Sequence, residues 1–274
     1  KMRGMDTSSI FFFIVALAVS AIPEGLPVAL TVALSIATKR MARRNVIVRR
    51  LNSVESLGSC TVIASDKTGT LTVNEQTAKK IILPGGKSYS VSGEGYNGDG
   101  KVTEGESKGI SENDHLQTLM KIAILANEGS LYKENGLWKY HGDAMDIALL
   151  GMAYKMGIDP AQTRKSYPLL DKIPYESERK FSAAFCSREG KSVIGVKGAV
   201  ETVLSFCSSM ILDGKVLDIT SESILSQAEE MAAKGYRVLA FAAGEYDNFV
   251  KKDIYEEADI PKLAFHGLVC FIDL

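Results

Sequence analysis

The chain has 274 residues, of which 46% are hydrophobic, and 32 Lys and Arg stand against 33 Asp and Glu for a formal net charge of −1. At roughly 150 residues per domain the length corresponds to nearly two domains, which excludes a single small motif protein, while the hydrophobic content excludes a disordered chain. The charge balance leaves no global basic field for nucleic acid, and four scattered cysteines without a CxxC pair, with three separated histidines, exclude a disulfide framework and a zinc knuckle and fit a reducing compartment.

Residues 10–34, IFFFIVALAVSAIPEGLPVALTVAL, contain a single charge, Glu24. They are long enough to cross a bilayer as a tilted helix, whereas a signal peptide has a shorter apolar stretch and a small-residue cleavage site. A buried helix of a soluble protein is the alternative. Lys39, Arg40, Arg43, Arg44, Arg49 and Arg50 follow the span, against Lys1 and Arg3 before it, so the positive-inside bias places the bulk of the chain in the cytoplasm. Strong helix formers continue the helix through residues 31–44, and Asn45 ends it. NVIVRR then reads as a short strand or an extended link, and SVESLGS as a helical turn capped by Ser53 and stopped by Gly58. CTVIAS, rich in β-branched residues, reads as a buried strand that delivers SDKTGTLT at its C-terminal end.

From 77 to 262 short β-branched runs (KKIIL, SVIGVKG, SMILD, RVLAFAAG) alternate with helical stretches (HLQTLMKIAILANE, AMDIALLGMAYKMG, SILSQAEEMAAKG), the texture of a mixed α+β domain. Glycines crowd between residues 85 and 109, marking hairpin turns and loops. GEGYNG there satisfies GxGxxG formally, but no helix opens behind it, so the dinucleotide reading fails on context. LAFHGLVCFIDL is another buried-type strand, and the chain stops where an active-site loop would begin, the expectation for a truncated domain.

Three constellations carry chemistry. Asp66, at the end of a buried strand, sits where open parallel sheets place ligands, and its carboxylate is suited to attack phosphorus and form an acyl phosphate. In the same heptad, Asp66-Lys67-Thr68-Gly69-Thr70-Leu71-Thr72, Gly69 allows close backbone approach and Thr70 can bond a phosphoryl oxygen. In PEGLP, Pro23 and Pro27 each remove a backbone donor, so the carbonyls of Val19 and Pro23 are expected to lose their usual partners beside the ionisable Glu24, an oxygen-rich setting for a hard cation. Lys197 ends a strand before Gly198 and a helix, which places its ammonium for a phosphate or nucleotide, and Tyr175 offers a π face. Arg237, taken alone, reads as a solvated strand charge.

S-D-K-T-G-T-L-T looks like the phosphorylation motif of P-type ATPases, members of the haloacid dehalogenase superfamily. Phosphatases of that superfamily usually carry a second Asp two positions after the nucleophile. Thr68 stands here, which implies a phosphoenzyme that is not hydrolysed promptly. PEGLP resembles the ion-binding helix of calcium, sodium/potassium and related pumps, and the resemblance implies that the carbonyls of Val19, Ser20 and Ile22 and the acid Glu24 help coordinate the transported ion, with Ca²⁺ favoured. It implies ATP and Mg²⁺ as cofactors, with Asp66, Lys67, Thr68 and Thr70 in the catalytic motif and Asp66 and Thr68 at the Mg²⁺. KGA, at Lys197 and Gly198, resembles the family's nucleotide-domain motif. Tyr175 matches an adenine-stacking Phe, Arg179 and Lys180 complete that match, and Arg237 matches an arginine that reaches nucleotide phosphate. HGDAMDIALL departs from G-[DE]-x-T-E-x-A-L, with Met145 for Thr and Asp146 for Glu.

The implied organisation is α/β and α+β multidomain. It comprises a transmembrane helix with a cytoplasmic extension (1–44), a partial Rossmann-like phosphorylation domain (45–76 and 263–274) and an inserted mixed α+β nucleotide-binding domain (77–262). The whole would be a multi-pass pump working by an aspartyl phosphate. Its partners would be membrane lipid and the remainder of the same pump, an actuator domain and further transmembrane helices, with no nucleic acid. Two rivals remain: a membrane-tethered phosphatase, which would need an acid/base at Thr68 and has no use for Glu24, and a noncatalytic nucleotide-binding module, which has no use for Asp66.

Overall fold

Two prolines four residues apart cannot sit in one unbroken helical ladder. In the computed structural model the apolar N-terminal run is accordingly two helices, α1 (Thr7–Ser20) and α2 (Gly25–Ala42). The structure describes residues 6–23, 25–65, 75–105, 108–109, 114–246 and 249–273, in two units, 1–65 and 66–274.

In the first unit the stretch Thr7–Ala42 is long and apolar enough to cross a membrane, with a mean hydropathy of 2.0 over its most apolar window. Phe11, Phe12, Phe13, Leu17, Leu26 and Val28 are all exposed. The carbonyls expected to be freed by the prolines are not free. Val19 C=O accepts from Ile22 N–H at 3.1 Å and Pro23 C=O from Leu26 N–H at 3.0 Å, because a tightened turn brings the donor three residues on within reach when the fourth is proline. Helix α3 (Asn52–Gly58) ends at the expected glycine, but Leu51 occupies its N-cap and no side chain caps it, in place of Ser53. The expected buried strand at 60–65 is instead an exposed extended segment, with Val62 81% and Ile63 90% accessible. A parallel strand needs neighbours to hold its ladder, and no described strand pairs with it.

The second unit opens with β1 (Gln76–Ile82), β2 (Ser88–Val91), β3 (Val102–Glu104) and β4 (Lys108–Gly109). There follow α4 (Asp114–Leu125), the hairpin β5 (Ser130–Glu134) and β6 (Leu137–His141), α5 (Ala144–Lys155) and α6 (Pro160–Ser166). Next come β7 (Leu169–Ile173), β8 (Phe181–Arg188), β9 (Lys191–Gly198), α7 (Val200–Phe206), β10 (Cys207–Leu212) and β11 (Lys215–Asp218). The last elements are α8 (Ser221–Ala233), β12 (Arg237–Tyr246) and β13 (Leu263–Asp273). The turns β5–β6, β8–β9 and β10–β11 are two-residue loops, Asn135-Gly136, Glu189-Gly190 and Asp213-Gly214, with positive φ at both residues. That twist matches the strands it joins and fixes each register.

The main sheet runs β4-β3-β2-β1-β13-β12-β9-β8-β7, with β10 parallel to the start of β13 and β11 beyond it. Residues 263–273 are thus the central strand of this sheet, antiparallel to both β1 and β12, and not the return to a separate phosphorylation sheet that the sequence suggests. A continuous apolar run means burial on two faces, and a central antiparallel strand covered by helices on both sides satisfies it as well as a parallel one. On one face Leu116, Leu119 and Met120 of α4 and Ile147 and Leu150 of α5 pack with Ile81, Phe241, Val269 and Phe271. On the other, Val203 and Leu204 of α7 and Met231 of α8 pack with Val196, Leu268 and Cys270.

The β12–β13 ladder jumps from Phe241↔Gly267 to Ala242↔Phe265, which leaves His266 as the extra residue of a bulge. Its buried ring meets that of His115 edge-on at 5.4 Å, and burial, then His115, pushes its pKa down to about 4. Above pH 6.5 the imidazole is neutral folded and unfolded alike. Between 6.5 and 4 the unfolded chain binds a proton that the folded ring refuses, so stability falls as pH falls, by roughly 3 kcal/mol from this group. Denaturation followed by the fluorescence of Trp138, the single tryptophan, is expected to show this slope, and His266→Asn to flatten it. Equal slopes in the two proteins would contradict the assignment.

Candidate nucleotide site

Alternation along β9 aims Val193, Gly195 and Lys197 at one face of the sheet, so the Lys197 side chain enters the interior and is only 6% exposed. A buried ammonium needs a partner. Asp146 supplies it from the first turn of α5, where the helix dipole also favours a carboxylate, and the two form a buried ion pair. Asp143 caps α5, accepting from Met145 N–H at 2.9 Å.

Asp146 also anchors the loop after α4. Its second carboxylate oxygen accepts from Glu128 N–H at 2.9 Å, and its main-chain carbonyl accepts from the Asn127 amide at 2.8 Å. Asn127 Oδ1 accepts from Gly129 N–H at 2.8 Å. Arg164 donates to the carbonyls of Asn127 and Gly129 at 3.3 and 3.0 Å, and Ser182 Oγ donates to Ala126 C=O at 3.1 Å. Glu128 in turn accepts from Lys172 Nζ at 3.1 Å and from Tyr175 N–H at 3.3 Å.

Around the ion pair opens a cavity of 270 Å³ lined by Glu128, Asp143, Asp146, Lys197, Tyr175, Met145, Gly198 and Leu239. Of the residues singled out from sequence, Asp146, Tyr175, Lys197 and Gly198 meet here. Arg179, Lys180 and Arg237 do not line it: Arg179 pairs with Glu176 at 3.3 Å, and Lys180 holds a turn at φ 58°. Arg237 stands two residues before Leu239 on β12, on the same face by alternation. Gly198 has a steric reason to be glycine, since a Cβ would lie 2.4 Å from Lys180 O. Glu128, Asp143 and Leu239 escaped sequence reasoning. Their signal, an acidic loop and cap at two helix ends, is shared by solvated surfaces and has meaning only once the chain is folded. Asp66, Lys67, Thr68, Thr70 and Glu24 lie outside the described residues.

Three carboxylates and one ammonium line the cavity, and that ammonium is already engaged by Asp146. A polyphosphate would meet like charge there, whereas a flat heterocycle bearing an amino group finds acceptors in Glu128 and Asp143, a ring in Tyr175 and apolar walls in Met145 and Leu239. The Lys197 ammonium, expected to be placed for a phosphate or nucleotide, is thus engaged by Asp146. Among the described residues no group of three His, Cys, Asp or Glu is placed to hold a metal ion.

Residues 115–274 match the family model described as the P-type ATPase cytoplasmic domain N. The chain belongs to the P-type ATPases. It is 42% identical to the cation-transporting ATPase pma1 of Synechocystis over 88% of this chain and 27% of that protein. It is 36% identical to the probable cation-transporting ATPase F of Mycobacterium tuberculosis over 99% of this chain and 30% of that one. With the calcium-transporting ATPase type 2C member 2 of Mus musculus it shares 37% identity over 99% of this chain and 28% of that protein. The chain therefore spans less than a third of the length of these relatives. All cavity residues of this P-type ATPase chain, and β13 with them, fall inside the matched region.

Removing one member of the buried pair strands the other. Lys197→Met is expected to cost about 3–5 kcal/mol of stability, and adding Asp146→Asn, which keeps an acceptor for Glu128 N–H, to recover more than half of it. Denaturant titration reads both, and a double variant no more stable than the single one would show that the pair is not what holds this corner.

Proposed function

We propose that this chain is the membrane-entry and nucleotide-binding part of an ATP-driven cation pump, and that the cavity beside Lys197 takes the adenine of ATP. The observation that carries the reading is the buried Lys197–Asp146 pair opening onto an acid-lined cavity walled by Tyr175. The aminopurine stacks on Tyr175 and donates its exocyclic N–H to the carboxylates. The phosphates stay outside, where Arg179, Lys180 and Arg237 are candidates to meet them.

In this reading an Asp66 carboxylate oxygen attacks the γ-phosphorus, the bond to the bridging oxygen breaks, and ADP leaves with an aspartyl phosphate formed. Asp66 and Thr68 would hold Mg²⁺, which would supply charge neutralisation on the phosphoryl oxygens, and Lys67 and Thr70 belong to the same motif. Along Thr7–Ala42 the chain spans the lipid bilayer, and the sheet unit lies in the cytoplasm. The broken helix between α1 and α2 is the ion site, with Glu24 and the carbonyls of Val19, Ser20 and Ile22 as ligands. Ile22 C=O supports this, since no described residue donates to it. Ca²⁺ is the favoured cargo because relatives are named calcium-transporting. The pump is completed by the remainder of the same protein.

Tyr175 is 49% exposed, so Tyr175→Ala leaves the fold intact and is expected to lower ATP affinity about tenfold or more, the usual worth of base stacking. Unchanged affinity in a calorimetric titration would refute the adenine assignment. In the complete pump Asp66→Asn is expected to abolish hydroxylamine-sensitive labelling by γ-labelled ATP, and Glu24→Gln to weaken its cation dependence without touching nucleotide binding. Persistent labelling of the Asn variant would refute the acceptor role.

A further inference from the structure

A second cavity, of 310 Å³, lies on the same face of the sheet, between α4 and the strands β9, β12 and β13. On the strand side Gly195 pairs with Ala243, and α4 packs onto the glycine, where a Cβ would lie 3.4 Å from Ile122 Cγ2. Thr118, Lys121, Ile122 and Leu125 form its helical wall, the i, i+3, i+4, i+7 edge of α4, and the volume lies within the range of small-molecule sites.

Its polar groups are few and specific. At the mouth, Arg188 lies over the Tyr167 ring at 5.4 Å and pairs with the exposed Glu189 at 3.9 Å, and among the described residues Lys121 has no carboxylate within ion-pair distance. Glu245 on the rim is held by Lys191 at 3.1 Å. In the wall, His266 is 8% exposed, and its ring lies edge-on to that of His115. Beyond Lys121, Tyr167 and Arg188 a polar hollow with Gln162, Thr163, Ser166 and Glu189 shares those three side chains, so the mouth is flanked by apolar space on one side and by hydroxyl, amide and carboxylate groups on the other.

We infer that this cavity is a second small-molecule site, for an amphipathic organic anion with a flat apolar body against Ile122, Leu125 and Ala243 and an acidic head at Lys121 and Arg188. The inference does not rest on the nucleotide reading, since no lining residue is shared with the first cavity.

The test is equilibrium dialysis of the full chain in detergent with 6-hydroxy-2-naphthoate, against micelles without protein. Saturable, one-to-one binding is expected, unaffected by saturating ATP. It should weaken at least tenfold when the carboxylate becomes a hydroxymethyl group, and at least tenfold in the solvent-accessible change Lys121→Glu. Circular dichroism checks that the variant is folded, and Arg188→Glu gives an independent variant with the same expected loss. Absence of saturable binding, or equal binding of acid and alcohol, would overturn the inference. Displacement by ATP with loss in Lys197→Ala but not in Lys121→Glu would overturn it too, by assigning the binding to the first cavity.

Discussion

A lysine that strand alternation drives into the interior has to be neutralised there, and the corner of the fold that carries the candidate site is organised around that requirement. Lys197 and Asp146 are 51 residues apart in sequence and come from different elements. Desolvating two charges is repaid only if the remaining polar atoms are also satisfied. Glu128 N–H and the Asn127 amide do this from the loop after α4, and Arg164 of α6 holds that loop by its carbonyls. The same bonds hold Glu128 beside Tyr175, so the network that stabilises the pair also places the acceptors and the aromatic wall of the cavity.

The central strand β13 makes the sheet two-sided, and the two sides differ in use. Under α7 and α8 the face is filled by Val196, Leu268, Cys270 and their neighbours. On the face of α4 and α5 the same strands carry Lys197, Gly195 and His266, a charge, a glycine under α4 and a bulge within one layer. Both cavities with argued ligands lie on this second face. The bulge at His266 shows how one inserted residue re-aims a side chain without breaking the ladder, since pairing resumes at Gly267, whose Cβ would lie 2.7 Å from Ile82 O.

Much of this was legible in the sequence. The periodic runs that became α4, α5 and α8 and the β-branched runs that became β1, β9, β10 and β12 follow from local rules. Local rules failed where the deciding contact is remote. LAFHGLVCFIDL reads as buried on both faces, but which sheet buries it depends on β1 and β12. The prolines do remove donors, yet the N–H groups of Ile22 and Leu26 step in. Lys197 could be singled out by its place before Gly198, but its engagement with Asp146 could not, because a carboxylate one methylene from a helix backbone looks like any first-turn acid until the strand arrives beside it.

The central claim is that the cavity at Lys197 and Tyr175 receives an adenine ring, and photolabelling with 8-azido-ATP tests it without relying on any substitution. The account predicts that, after irradiation and proteolysis, ATP-protectable label lies in the peptides that contain Tyr175 or Lys197. Protectable label confined to peptides that do not line this cavity, such as those bearing Lys121 and Arg188, would contradict it.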